Sequence, residues 1–138
     1  MKFKEFYNND DETQGLHNLL GIKEFHINEE GNVYITLKIG KKHVNPLENI
    51  HGGTLFTICD IAAGAQMRLR ETDWGVTLDS FMQFYRPAVL GETVTATVYE
   101  RKHGKTVSGY LVEVYSDSGK HIADATFNMF NVGDGKKL

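Results

Sequence analysis

The sequence predicts an α+β fold in which one long central helix is wrapped by a curved antiparallel sheet. Three observations predict it. From Gly52 to about Leu69 the hydrophobic residues recur at helical spacing, with Leu55, Ile58, Cys59 and Ala62 on one side. The segments flanking this stretch alternate apolar and polar residues with the period of a strand. Their order is two strands, one helix, then a run of strands, which argues for a sheet curled around a single helix.

Size and composition set the bounds. A chain of 138 residues fits one domain with a sizeable core, here read as residues 1–138 with loose ends at 1–14 and 133–138. With 41% hydrophobic and 24% charged residues the chain is not disordered throughout. A net charge of −3 gives no general attraction to nucleic acid, and none is expected as a partner. One cysteine excludes an internal disulfide framework and a multi-cysteine zinc site. The opening Met1-Lys2-Phe3-Lys4-Glu5 leads into a polar segment without the apolar core of a secretion signal. No apolar run approaches the ~20 residues that span a bilayer. The expectation is a soluble cytoplasmic protein with no membrane partner.

Taken in order, Asp10 or Asp11 is placed to cap a short helix ending near Gly21, with Leu16, Leu19 and Leu20 on its inner side. Ile22 to Ile27 and Asn32 to Ile39 read as strands joined by the turn Asn28-Glu29-Glu30-Gly31. Val33, Ile35, Leu37 and Ile39 alternate with polar neighbours, as in a half-buried strand. Gly40 to Ile50 is a polar connector. Arg68 and Arg70 follow the long helix, where cations complement its dipole. Gly75 to Tyr85, Thr93 to Arg101, Thr106 to Tyr115 and His121 to Asn131 then read as a meander. Its turns fall at His103-Gly104 and at Asp117-Ser118-Gly119. The long helix is apolar on more sides than one sheet face covers, which predicts a second protein surface, most simply another copy of the chain.

The chemistry concentrates in the helix. Gly52 and Gly53 open it, where backbone N–H groups lack intrahelical partners and no Cβ blocks a carbonyl. Fixed donors at the positive end of a helix dipole suit an oxyanion hole. The plainer reading is a sharp turn into the helix. Asp60 is the only full charge between Asn49 and Met67. It suits a general base or a nucleophile, or else a buried Asp bonded to backbone or a hydroxyl. Eight residues separate Gly52 from Asp60, about 12 Å of helix. One carbonyl cannot meet both within a chain, so a shared reaction requires Asp60 from a partner, its helix antiparallel. Asn45 and His51 precede the helix and are placed to orient water or an acyl group. Asn45 before Pro46 also suits a plain turn. His51 has no metal-ligand spacing, and no metal site is expected. Thr77 and Asp79 lie on a strand that can face the site, or simply decorate the sheet. Arg101, Lys102 and Lys105 surround a glycine turn, suited to a phosphate or simply to solvent. Phe56, Met67, Phe81, Met82 and Phe84 are placed to line a tunnel or fill the core.

Asn45-x5-His51-Gly52-Gly53-x6-Asp60, with Thr77-Leu78-Asp79, the run Tyr85-Arg86-Pro87-Ala88-Val89-Leu90-Gly91-Glu92 and Gly104-Lys105-Thr106, resembles the PaaI-like hotdog-fold acyl-CoA thioesterases. The resemblance spans about residues 15 to 132. It implies a hotdog fold in dimers, often dimers of dimers. It also implies hydrolysis of an acyl-CoA to a carboxylic acid and CoA, with no cofactor beyond the CoA of the substrate. Asp60 would be the catalytic carboxylate and the Gly52 amide the donor to the thioester carbonyl. Asn45 would place water or substrate, with support from His51. Thr77 would assist the water, entering with Asp60 from the second subunit. Lys102 and Lys105 would contact the CoA phosphates. The segment Asn128-Met129-Phe130-Asn131 lacks the basic residues some relatives have there, which leaves CoA and a carrier protein both open. The rival reading is a non-catalytic acyl-thioester-binding protein on the same scaffold.

Overall fold

A computed structural model describes residues 15–22, 24–70 and 72–133. Its elements are α1 (Gly15–Leu20), β1 (Phe25–Ile27), β2 (Val33–Lys38), a 3-10 turn (Lys41–His43), α2 (Gly52–Arg68), β3 (Gly75–Phe84), β4 (Thr93–Lys102), β5 (Val107–Ser116) and β6 (His121–Asn131). Six strands form one antiparallel sheet in the order β1-β2-β4-β5-β6-β3.

The meander expected after the helix holds for β4, β5 and β6. The strand β3 departs from it, pairing with β6 at the far edge instead of with β4. The helix α2 crosses the concave face of the sheet, so the chain leaves it on the side opposite β2. A period of two residues identifies a strand but carries no information about its neighbour.

One row of each strand faces α2: Val33, Ile35 and Leu37 on β2, Val94, Ala96 and Val98 on β4, Tyr110, Val112 and Val114 on β5. Leu55, Ile58, Cys59 and Ala62 of the helix are buried against them. Each large side chain fully buried there contributes roughly 1.5–3 kcal/mol. Gln66 locks the helix to the first hairpin, its Oε1 accepting from the Val33 amide at 2.7 Å and its Nε2 donating to the Gly31 carbonyl at 3.0 Å.

Three local expectations change. Leu16 and Leu19 are 54% and 69% exposed, not inward, and of the three leucines only Leu20 packs on the core. The proposed caps at Asp10 and Asp11 lie outside the described residues. The imidazole of His43 fastens α1: Nδ1 accepts from the Gly40 amide at 2.9 Å while Nε2 lies 2.6 Å from the Leu20 carbonyl. Arg70 has a larger role than a charge at the helix end. Its guanidinium joins Asp73, Glu100, Ser108 and the Gly104 carbonyl at 2.8–3.1 Å. Gly133, expected in the loose tail, is held by the Trp74 amide and by Asn131 Oδ1. No described helix is long and apolar enough to cross a membrane.

Candidate functional site

The connector builds the entry to α2. Asn45 Oδ1 accepts from the Leu47 and Asn49 amides at 3.0 and 3.2 Å, closing the turn that Pro46 begins. Those bonds fix the carbonyl end of the side chain and leave its NH2 group without a partner among the described residues. His51 is the N-cap of α2, and its Nδ1 accepts from the Gly53 amide at 2.8 Å. A Cβ on Gly53 would sit 2.9 Å from that nitrogen, so this glycine serves the cap. The Gly52 amide has no partner among the described residues. Of the two glycines, only the first offers an open donor.

That donor opens on a cleft of about 390 Å³ lined by Asn45, Asn49, Gly52, Leu55, Phe84 and Arg86, among others. Asn45 and Gly52 are therefore brought together. His51 acts from behind, spending its acceptor on Gly53 and lining neither this cleft nor the next.

Two turns along α2, a second cleft of about 440 Å³ holds Asp60 and Thr77 with Ile61, Trp74, Gly75 and Met129. Thr77 Oγ1 donates to Asp60 Oδ1 at 2.5 Å. A hydroxyl has one hydrogen, so Thr77 can meet a water only as acceptor. Asp60 is half-buried within the single chain and bonded to a hydroxyl, as one of its two readings has it. Asp60, Ile61 and Gly64 of the helix share this cleft with Gly75, Val76 and Thr77 of β3.

Gly52 and Asp60 thus lie in separate clefts of one chain, as the helix spacing requires. Lys105 lines a third cleft with Arg70, Thr72, Asp73, His103 and Asn131, while Lys102 is exposed at the end of β4 and lines none of the three. Met67 is core, Met82 packs on the core, Phe81 faces outward at 64% exposure, and Phe84 lines the Gly52 cleft. Sequence reasoning missed His17, which α1 carries into the Asp60 cleft. Burial there lowers the imidazole's affinity for a proton. No local pattern marks such a residue, because only the chain's path brings α1 over β3.

The family model described as the thioesterase superfamily matches residues 47–123. Acyl-coenzyme A thioesterase PaaI of Escherichia coli (strain K12) is 31% identical over 98 residues, 69% of this chain and 67% of that protein. Human acyl-coenzyme A thioesterase 13 is 32% identical over 95 residues, 67% of this chain and 68% of that one. A crystal structure of a hypothetical thioesterase with coenzyme A from Streptococcus pneumoniae TIGR4 superimposes with a TM-score of 0.74 at 31% identity, covering 80% of this chain and 85% of that one.

Proposed function

Because the chain belongs to the thioesterase superfamily, as a PaaI-like hotdog thioester hydrolase, we propose that it cleaves acyl-CoA to a carboxylic acid and CoA in a site shared by two subunits. The observation that carries the proposal is the division of the expected machinery between two clefts at opposite ends of β3. Phe84 and Tyr85 line the Gly52 cleft, while Gly75, Val76 and Thr77 line the Asp60 cleft. The strand β3 is an edge strand of ten residues with one side unpaired among the described residues and Leu78 and Phe81 exposed. Such an edge is a template for another strand. Two β3 edges paired antiparallel about a two-fold axis bring the Thr77 end of one beside the Phe84 end of the other. Each composite site then contains Gly52 and Asn45 from one chain and Asp60 and Thr77 from its partner. The proposal covers the homodimer and leaves room for a dimer of dimers.

In that site the thioester carbonyl oxygen takes the Gly52 N–H, with an Asn45 amide hydrogen beside it. A water accepted by Thr77 gives its proton to Asp60 as its oxygen adds to the carbonyl carbon. The tetrahedral oxyanion collapses, the C–S bond breaks, and the thiolate takes the proton back from Asp60. Direct attack by Asp60 would use the same groups through an anhydride. The basic cleft supports a place for the CoA phosphates, because Asn131, which lines it, pairs with Gly75 of the Asp60 cleft. Lys105 is the stronger candidate, and Lys102 joins it only from the end of β4. The same proposal places the enzyme in the cytoplasm.

Asp60→Asn tests the assignment. The amide oxygen still accepts from Thr77, so the fold is kept, while turnover on acyl-CoA drops about 10²–10⁴-fold. Retention of wild-type turnover would remove Asp60 from the chemistry.

A further inference from the structure

We propose that Glu113, His121 and Asp124 form a binding site for a divalent transition metal of the zinc class on the outer face of the sheet, away from α2. One donor atom from each lies within 4.8 Å of the others. Glu113 and Asp124 are directly opposite on β5 and β6, a pairing of like charges that weakens a sheet unless something neutralises it. No Lys or Arg pairs with either among the described residues, and Glu113 accepts no hydrogen bond there. Arg86 is near but donates to the backbone carbonyl of His121 at 3.2 Å.

His121 reaches this face through an irregularity in the ladder. In a regular strand residues 121 and 124 point to opposite faces. Between Val114/Ala123 and Tyr115/His121 the register shifts, leaving Ile122 unmatched and turning the imidazole outward. Two rings then hold it: Tyr115 stacks at 4.5 Å and 4°, and Tyr85 tilts against it at 4.9 Å. Its Nε2 lies 2.6 Å from Asp124 Oδ1. The other carboxylate oxygen, Oδ2, lies 3.0 Å from the Tyr85 hydroxyl, whose single hydrogen it shares with Gln83 Oε1 at 2.8 Å. Oriented ligands with a bonded outer shell are the usual construction of a metal site.

One imidazole with two carboxylates suits zinc, cobalt or nickel better than calcium or magnesium. The ion displaces any proton between Nε2 and Oδ1 and spreads the pair by a few tenths of an ångström. Glu113 swings in as third ligand, and water completes a tetrahedron.

The test is titration of the full untagged chain with Co2+, followed by visible absorption and by the thermal midpoint. The expected result is one Co2+ per chain with a d–d band, a raised midpoint, and competition by Zn2+. Glu113→Gln and His121→Gln should each weaken binding at least about tenfold while keeping the wild-type circular dichroism. Absence of a band in millimolar Co2+, or equal binding by Glu113→Gln, would overturn the proposal. So would imidazole NMR showing His121 permanently protonated and indifferent to the metal.

Discussion

If each reaction draws Gly52 from one chain and Asp60 from another, two dead variants should repair each other. Gly52→Val crowds the open amide. A Cβ at that position lies 3.4 Å from the ring of Phe84, which is 56% exposed and can move aside, so the helix still forms. Its loss is the loss of an oxyanion donor, about 10²–10³-fold. Asp60→Asn loses about 10²–10⁴-fold. When the two chains are co-expressed equally, half of the dimers are mixed. Each mixed dimer holds one site with both lesions and one with neither, so the preparation should recover about a quarter of wild-type activity per chain. Thiol release is the assay, read with a disulfide reagent. The enzyme contributes no background, because its one cysteine, Cys59, is buried, and burial, then Asp124 and Asp60, push its thiol far above the ordinary range. Activity no greater than the sum of the two parents would refute the shared site.

Thr77→Val removes the donor to Asp60 and the acceptor for water, and should lower kcat about tenfold or more, with Thr77→Ser restoring most of it. Arg70→Ala strips a hub whose side chain is 14% exposed and leaves Asp73, Glu100 and Ser108 short of partners. The expected loss is about 2 kcal/mol, measured by urea unfolding. Stability should also fall in acid. Burial alone would raise the Asp73 carboxyl, but bonds from Arg70, Thr72 and Asn131 and the charge of Arg70 hold it below the ordinary range. The Val89 amide, then Lys120, does the same for Glu92. Carboxyls depressed in the folded state favour folding above about pH 4. That contribution disappears as pH falls through their folded values, and Arg70→Ala should flatten the decline.

The helix and the strands were legible because their periods are local properties of the chain. So was the separation of Gly52 from Asp60, since eight residues of helix fix a length without reference to any neighbour. The placement of β3 was not legible, because pairing partners are chosen by how α2 crosses the sheet. The exposure of Asp60 within one chain is not legible for a related reason. An apolar helix says that something covers it, not that its own sheet reaches every face. The different duties of Gly52 and Gly53 needed coordinates, since only the imidazole of His51 tells the two amides apart.

The placement of β3 also orders events during synthesis. Thr77 is aligned opposite Met129, and Gly75 opposite Asn131, so the strand carrying Thr77 waits for β6 to leave the ribosome. Until then it has no partner strand among the described residues, while the Gly52 entry depends only on segments already made. A nascent chain stalled before β6 would hold the donor half of the machinery and expose an adhesive ribbon in place of the other half.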